Sequence, residues 1–138
     1  MAEDNKALWR RLVNEFWNSG NLALADEFVS AQYVWNVIGS DEEFHGPEGF
    51  REAGRKWRGA FPDLHLTLGD MLSEGDKLAC AWSWTGTHLG ELQGIAPTGR
   101  KVNVSGMTLF TIANGKFVRE VVYADLLGLM KQLGVLPG

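Results

Sequence analysis

Three side chains combine acid–base capability with surroundings able to tune it: Glu120 beside Arg119 and Val121-Val122, Asp125 at the end of the same run, and His88 in the loop sequence GTHLGE. A carboxylate taken out of water keeps its proton to higher pH, so a buried Glu120 would be a serviceable base near neutrality. Facing solvent, or paired with an arginine, it would be a structural charge. Asp125 fits a proton carrier and equally a helix N-cap, whose removal costs about 1 kcal/mol. His88 can reach over a cavity mouth as an acid or donor, or hold its own turn. Asn36 can orient a carbonyl or a water. His45 precedes a helix start and His65 faces away from the leucines of its strand, so both read as structural or exposed. No two histidines have metal-ligand spacing, and neither a metal nor a cofactor is expected. The segment Ala96–Arg100, APTGR, lacks the Gly-x-x-x-x-Gly-Lys phosphate pattern and precedes a strand, which makes it a turn.

Those groups need walls, and the composition supplies them. Six Trp and seven Phe in 138 residues are many, and aromatic rings make wide apolar surfaces for a core or a flat ligand. Tyr33, Trp35, Trp57, Trp82, Trp84, Phe110 and Tyr123 are the candidate wall residues, with ordinary core packing as the alternative for each. The expected partner is therefore a hydrophobic small molecule. A net charge of −4, with no run of Lys or Arg beyond two residues, argues against nucleic acid. The single cysteine, Cys80, lies in an apolar run and reads as a buried core residue. No apolar stretch has signal-peptide or membrane-spanning character, and a cytoplasmic protein is expected. The length is that of one domain, 1–138.

The elements that position these residues follow from periodicity. Leu8, Trp9, Leu12, Val13, Phe16 and Trp17 predict an amphipathic helix from Leu8 to Trp17, ended at Asn18-Ser19-Gly20. A short helix from Leu22 to Val29, capped by Asn21, a strand from Tyr33 to Ile38 and a polar turn to Glu43 come next. Gly46-Pro47 opens a third helix that Pro62 stops. Strands are predicted over 64–72, 78–87, 101–112 and 116–123, the last two joined by Asn114-Gly115. Asp125 leads into a terminal helix closed by Gly134. Runs of helices before runs of strands indicate α+β. The two central strands look able to bury both faces, one against helices around a pocket and one against a partner subunit.

The segments WNSGNL, HGPEGFREAGRKWRGAFPDLHLTL, GTHLGELQGIAPTGRKVNVSGMTLF and GKFVREVVYADLLGLMKQLG together resemble the SnoaL-like polyketide cyclases across nearly the whole chain. The resemblance implies a cone-shaped α+β barrel of the ketosteroid-isomerase-like type, a strongly curved, mostly antiparallel sheet around an apolar cavity, and a homodimer through the sheet. It also implies a cofactor-independent enzyme acting on an aromatic or polycyclic polyketide-like substrate. The family's cyclases close a ring by aldol condensation, with a carboxylate moving a proton beside an enolate. Their last-strand aspartate falls on Val122, and their glutamine and histidine of the preceding strand fall on Gly106 and Thr108. Asn36 stands where many members carry a histidine. With these polar roles replaced, cyclisation, hydroxylation or another proton-transfer step remain open, as does a binding protein that turns nothing over. Side chains alternate along a strand, so Glu120 shares the cavity face if Val122 does. The implied site joins Glu120, Asp125 and His88 to a binding wall that includes Thr108 and Val122.

Overall fold

The structure, a computed structural model, describes residues 2–135; residue 1 and residues 136–138 of the expected domain lie outside the described residues. Helix α1, Ala2–Leu12, runs directly into a π-helical turn, Val13–Asn18. The helix therefore begins earlier than its apolar stripe, and its last turn is wider than an α-helix. That widening buries Phe16 and Trp17 side by side. It also aims Asn18 at the edge of the sheet, where its amide donates to Leu66 O at 3.0 Å and accepts from Leu66 N–H at 2.7 Å. Asn18 thus does more than end a helix: it satisfies an open strand edge.

A 3-10 turn, Leu22–Leu24, and the four-residue α2, Ala25–Phe28, replace the single second helix predicted by periodicity, and Asn21 makes no side-chain cap bond. Strand β1, Val29–Val37, begins four residues before the expected start. The segment expected to end as a turn carries a short strand, β2, Glu43–His45, too brief for an alternation signal. Helix α3, Gly46–Ala60, starts on Pro47 as predicted. Strands β3 (His65–Glu74), β4 (Lys77–Thr87), β5 (Lys101–Ala113) and β6 (Lys116–Ala124) are followed by α4, Leu126–Leu133.

The six strands form one sheet in the order β2-β1-β6-β5-β4-β3. All neighbours are antiparallel except β1 and β6. A parallel pair needs a long crossover, and here α3 and the β3–β5 meander supply it. The sheet is curved and unclosed, with β2 and β3 at its edges, and register shifts interrupt the β1–β6, β3–β4 and β5–β6 ladders. Bulges of this kind bend strands. The chain is α+β, with helices against one face of the sheet.

That face carries the core. Phe16 stacks on Phe50 at 4.2 Å between ring centres, and Trp9 meets Phe110 at 4.6 Å. On the other face, where a partner subunit is expected, β5 alternates and leaves Met107 and Leu109 50% and 42% exposed, with Tyr123 of β6 53% exposed in the single chain.

Candidate functional site

The concave face of the sheet and the helices above it form a half-open pocket of about 80 Å³. All six tryptophans of the chain line it: Trp9 and Trp17 from α1 and its π turn, Trp35 from β1, Trp57 from α3, and Trp82 and Trp84 from β4. Thr108, Val122, Leu126 and Leu129 are among the aliphatic and hydroxyl groups that complete the lining, and Glu120 is its only charged residue among the described residues.

Strand alternation places Glu120 there. Val122 and Glu120 both face the helices, and Glu120 is 6% exposed. Its neighbours across the ladders are Trp35 and Phe110, and among the described residues no cation acts on it. Its single hydrogen bond among the described residues comes from the buried Tyr33 hydroxyl, 2.7 Å from Oε1. Burial pushes the carboxyl up from 4.5 to about 7, and the Tyr33 bond opposes the rise by favouring the carboxylate. Tyr33 responds in kind: burial first, then the Glu120 charge, hold its phenol well above its ordinary value. The result is a buried carboxyl with a pKa of about 7 in an aromatic pocket, held through one oxygen.

Trp82 is the best anchored of the indoles. Its Nε1–H donates to Thr108 Oγ1 at 2.8 Å. Its ring lies over Gly106, where an added Cβ would sit 2.6 Å from the ring and 2.5 Å from Tyr123 O. The buried Trp35 Nε1–H has no partner among the described residues.

The profile of the SnoaL-like polyketide cyclases matches residues 7–133. This chain belongs to that family. Among its relatives, the aklanonic acid methyl ester cyclase DnrD of Streptomyces peucetius is 30% identical over 129 residues, 92% of this chain and 88% of that one. The solved structure of TsrD from Streptomyces laurentii is 32% identical, covers 97% of each chain and superposes with a TM-score of 0.85. AclR from Streptomyces galilaeus, proposed to be a hydroxylase, is 28% identical over all of this chain and 85% of its own, with a TM-score of 0.85. A protein of ketosteroid-isomerase-like fold from Catenulispora acidiphila, at 14% identity and a TM-score of 0.80, shares the fold.

In this SnoaL-like chain the residues at positions 106, 108 and 122 serve packing. Val122 is an aliphatic wall, Gly106 makes room for Trp82, and Thr108 holds the indole nitrogen. The carboxylate is Glu120, two residues earlier on the same face, roughly 6.5 Å along the strand. Trp35, Trp57, Trp82, Trp84, Thr108, Val122 and Glu120, all expected from the sequence, come together. Tyr33 stands behind Glu120 as its hydrogen-bond donor. Phe110 packs into the Trp9–Phe117 cluster, and Asn36 is half-buried on β1 between the pocket residues Trp35 and Val37, directed to the other face. Tyr123 also lies on that opposite face.

Asp125 and His88 sit apart from Glu120. Asp125 is exposed, and its Oδ1 accepts from Gly128 N–H at 2.8 Å as the cap of α4. His88 is buried outside the pocket, its ring 5.4 Å from that of Phe61. Its Nδ1 accepts from Thr98 N–H at 3.1 Å, and its main chain bonds to Gly99 and Arg100. It clasps the two ends of the 88–100 loop. Nearby, Asp63 accepts from Thr87 N–H and hydroxyl at 2.6 and 2.7 Å, which holds its carboxyl below the ordinary range. No three of His, Cys, Asp and Glu converge on a metal-sized site among the described residues, and no helix there is long and apolar enough to cross a membrane.

Sequence reasoning missed Trp9, Trp17 and the α4 leucines. The signal for the first two was present, since Trp9 and Trp17 lie eight residues apart on one apolar stripe. Nothing local announced that α4 would fold back over the same chamber.

Proposed function

We propose that this protein is a small-molecule enzyme that moves a proton on a hydrophobic, aromatic polyketide-like substrate, with Glu120 as the proton carrier. The observation that supports this most is the Glu120 carboxyl, held near neutrality inside a tryptophan chamber and oriented by Tyr33. A base whose pKa lies near the working pH gives the largest product of correct ionisation and driving force. In the reading we favour, ionised Glu120 takes the proton from a carbon beside a carbonyl. The C–H electron pair passes to the carbonyl oxygen as an enolate. The enolate carbon then bonds to a second carbonyl of the same molecule, and the new alkoxide recovers the proton from Glu120. No further cofactor enters this sequence. The chamber of about 80 Å³ is smaller than the roughly 300 Å³ of typical small-molecule sites, so the reacting end enters and the remainder of a polycyclic substrate occupies the mouth.

The relatives named as aklanonic acid methyl ester cyclases make that compound, together with smaller aromatic β-diketones, the first substrates to assay. Glu120→Gln is expected to lower turnover by about 10²–10⁴-fold, with Asp125→Asn leaving it unchanged. Undiminished turnover by Glu120→Gln would remove the proposal.

The packing roles of Gly106, Thr108 and Val122 support a second reading, a carrier that binds an apolar molecule without turnover. It expects ligand affinity that survives Glu120→Gln and no product with any substrate. We further propose a homodimer through the outer sheet face, where Met107, Leu109 and Tyr123 are exposed. Sedimentation of wild type against Met107→Asp tests it: a wild-type monomer would refute it.

A further inference from the structure

Three features of the pocket point to the charge of its ligand. Its walls carry all six indoles, and two indole pairs meet nearly edge to face: Trp17 with Trp35 at 70° and Trp57 with Trp84 at 62°. Indoles attract a cation lacking hydrogen-bond donors through their π faces, and no other residue type supplies as many walls to this pocket. The second feature is Glu120, whose surroundings contain no positive partner. From β1 it receives the neutral Tyr33 hydroxyl, from β5 its neighbour is Phe110, and among the described residues no Lys, Arg, His or Asp lines the remaining walls. A buried carboxylate without a cation is costly, and a cationic ligand would supply the missing charge. The third is size. The pocket, about 80 Å³, is small beside the roughly 300 Å³ of typical ligand sites, which suits a compact group such as a methylated nitrogen.

We propose that the tryptophan chamber is a binding site for a small alkylammonium group, with Glu120 as its counter-ion and the indoles as its cage. This goes beyond the enzymatic reading, because it concerns the ligand's charge and is decided by binding alone. A free quaternary amine would occupy the chamber as such, in place of the reacting end of a substrate.

The test titrates tetramethylammonium chloride, and separately tert-butanol as an uncharged group of similar size, into the intact protein with sodium chloride as the ionic-strength control. Every tryptophan belongs to the chamber, so intrinsic fluorescence reports its occupancy directly, and calorimetry checks the stoichiometry. Saturable one-to-one binding of tetramethylammonium at about pH 8.5 is expected, about tenfold or more tighter than tert-butanol. Affinity should fall by about tenfold at pH 5.5, where Glu120 is protonated, and similarly in Glu120→Gln. Equal affinity for the two probes, absence of tetramethylammonium binding, or binding indifferent to pH would each overturn the proposal. The wild-type pH comparison decides the matter even if the variant does not fold. Loss of turnover in Glu120→Gln alongside failure of tetramethylammonium to bind would retain the enzymatic reading and discard this one.

Discussion

Replacing Glu120 by Gln should make the protein more stable, and only above the acid range. The folded-state pKa is raised from 4.5 to about 7, so between those values the native state binds a proton that the unfolded chain has already released. Wild-type stability therefore falls as pH rises from 4.5 through 7 and carries the full penalty above it. Each pKa unit corresponds to about 1.4 kcal/mol, which puts the cost of the ionised, buried carboxylate on the order of 3 kcal/mol, a sizeable part of the 5–15 kcal/mol that holds a domain folded. Glutamine fills the same space, carries no charge and can still accept the Tyr33 hydroxyl hydrogen. Urea unfolding of both proteins at about pH 5 and pH 8 should show the variant gaining about 2–3 kcal/mol on wild type between the two conditions. A difference that does not change with pH, or one that moves in favour of wild type at pH 8, would refute the burial argument and with it the assignment of Glu120 as a base near neutrality.

Tyr33→Phe removes the one donor that favours the carboxylate, so the Glu120 titration should move to higher pH by about one to two units, read from the pH dependence of tryptophan fluorescence; a midpoint unchanged or lower would count against the 2.7 Å bond. Thr108→Val leaves the Trp82 indole N–H buried and unpaired, and a loss of about 1–3 kcal/mol is expected in denaturant unfolding. Gly106→Ala brings a methyl group into the Trp82 ring and the Tyr123 carbonyl, and should cost about 1–3 kcal/mol while disturbing the near-ultraviolet circular dichroism of the tryptophans. Asp125→Ala should lower stability by about 1 kcal/mol through the lost cap and leave the Glu120 titration where it was.

The sequence by itself determined the order and type of most elements and the polarity of their faces. Pro47 at the start of α3, Asn114-Gly115 between β5 and β6, and Gly134 after α4 are local signals, because the backbone angles they permit depend on little beyond the residue itself. The alternation in β6 likewise tied Glu120 to the face of Val122. The tertiary structure decided the rest. That the six tryptophans, spread from position 9 to position 84, share one chamber depends on the curved sheet joining β1 to β4 and on α1 and α3 packing against it, contacts between residues tens of positions apart. The early start of β1 and the brief β2 arise from pairing, which overrides local propensity. His88 and Asp125 had the right chemistry, but their side chains were taken up by the backbone next to them, since an amide close in sequence reaches such groups before a distant cavity can. Glu120 and Tyr33 are 87 residues apart; the two types could be read from the chain, but the bond that gives them a joint role exists only once the sheet has curved.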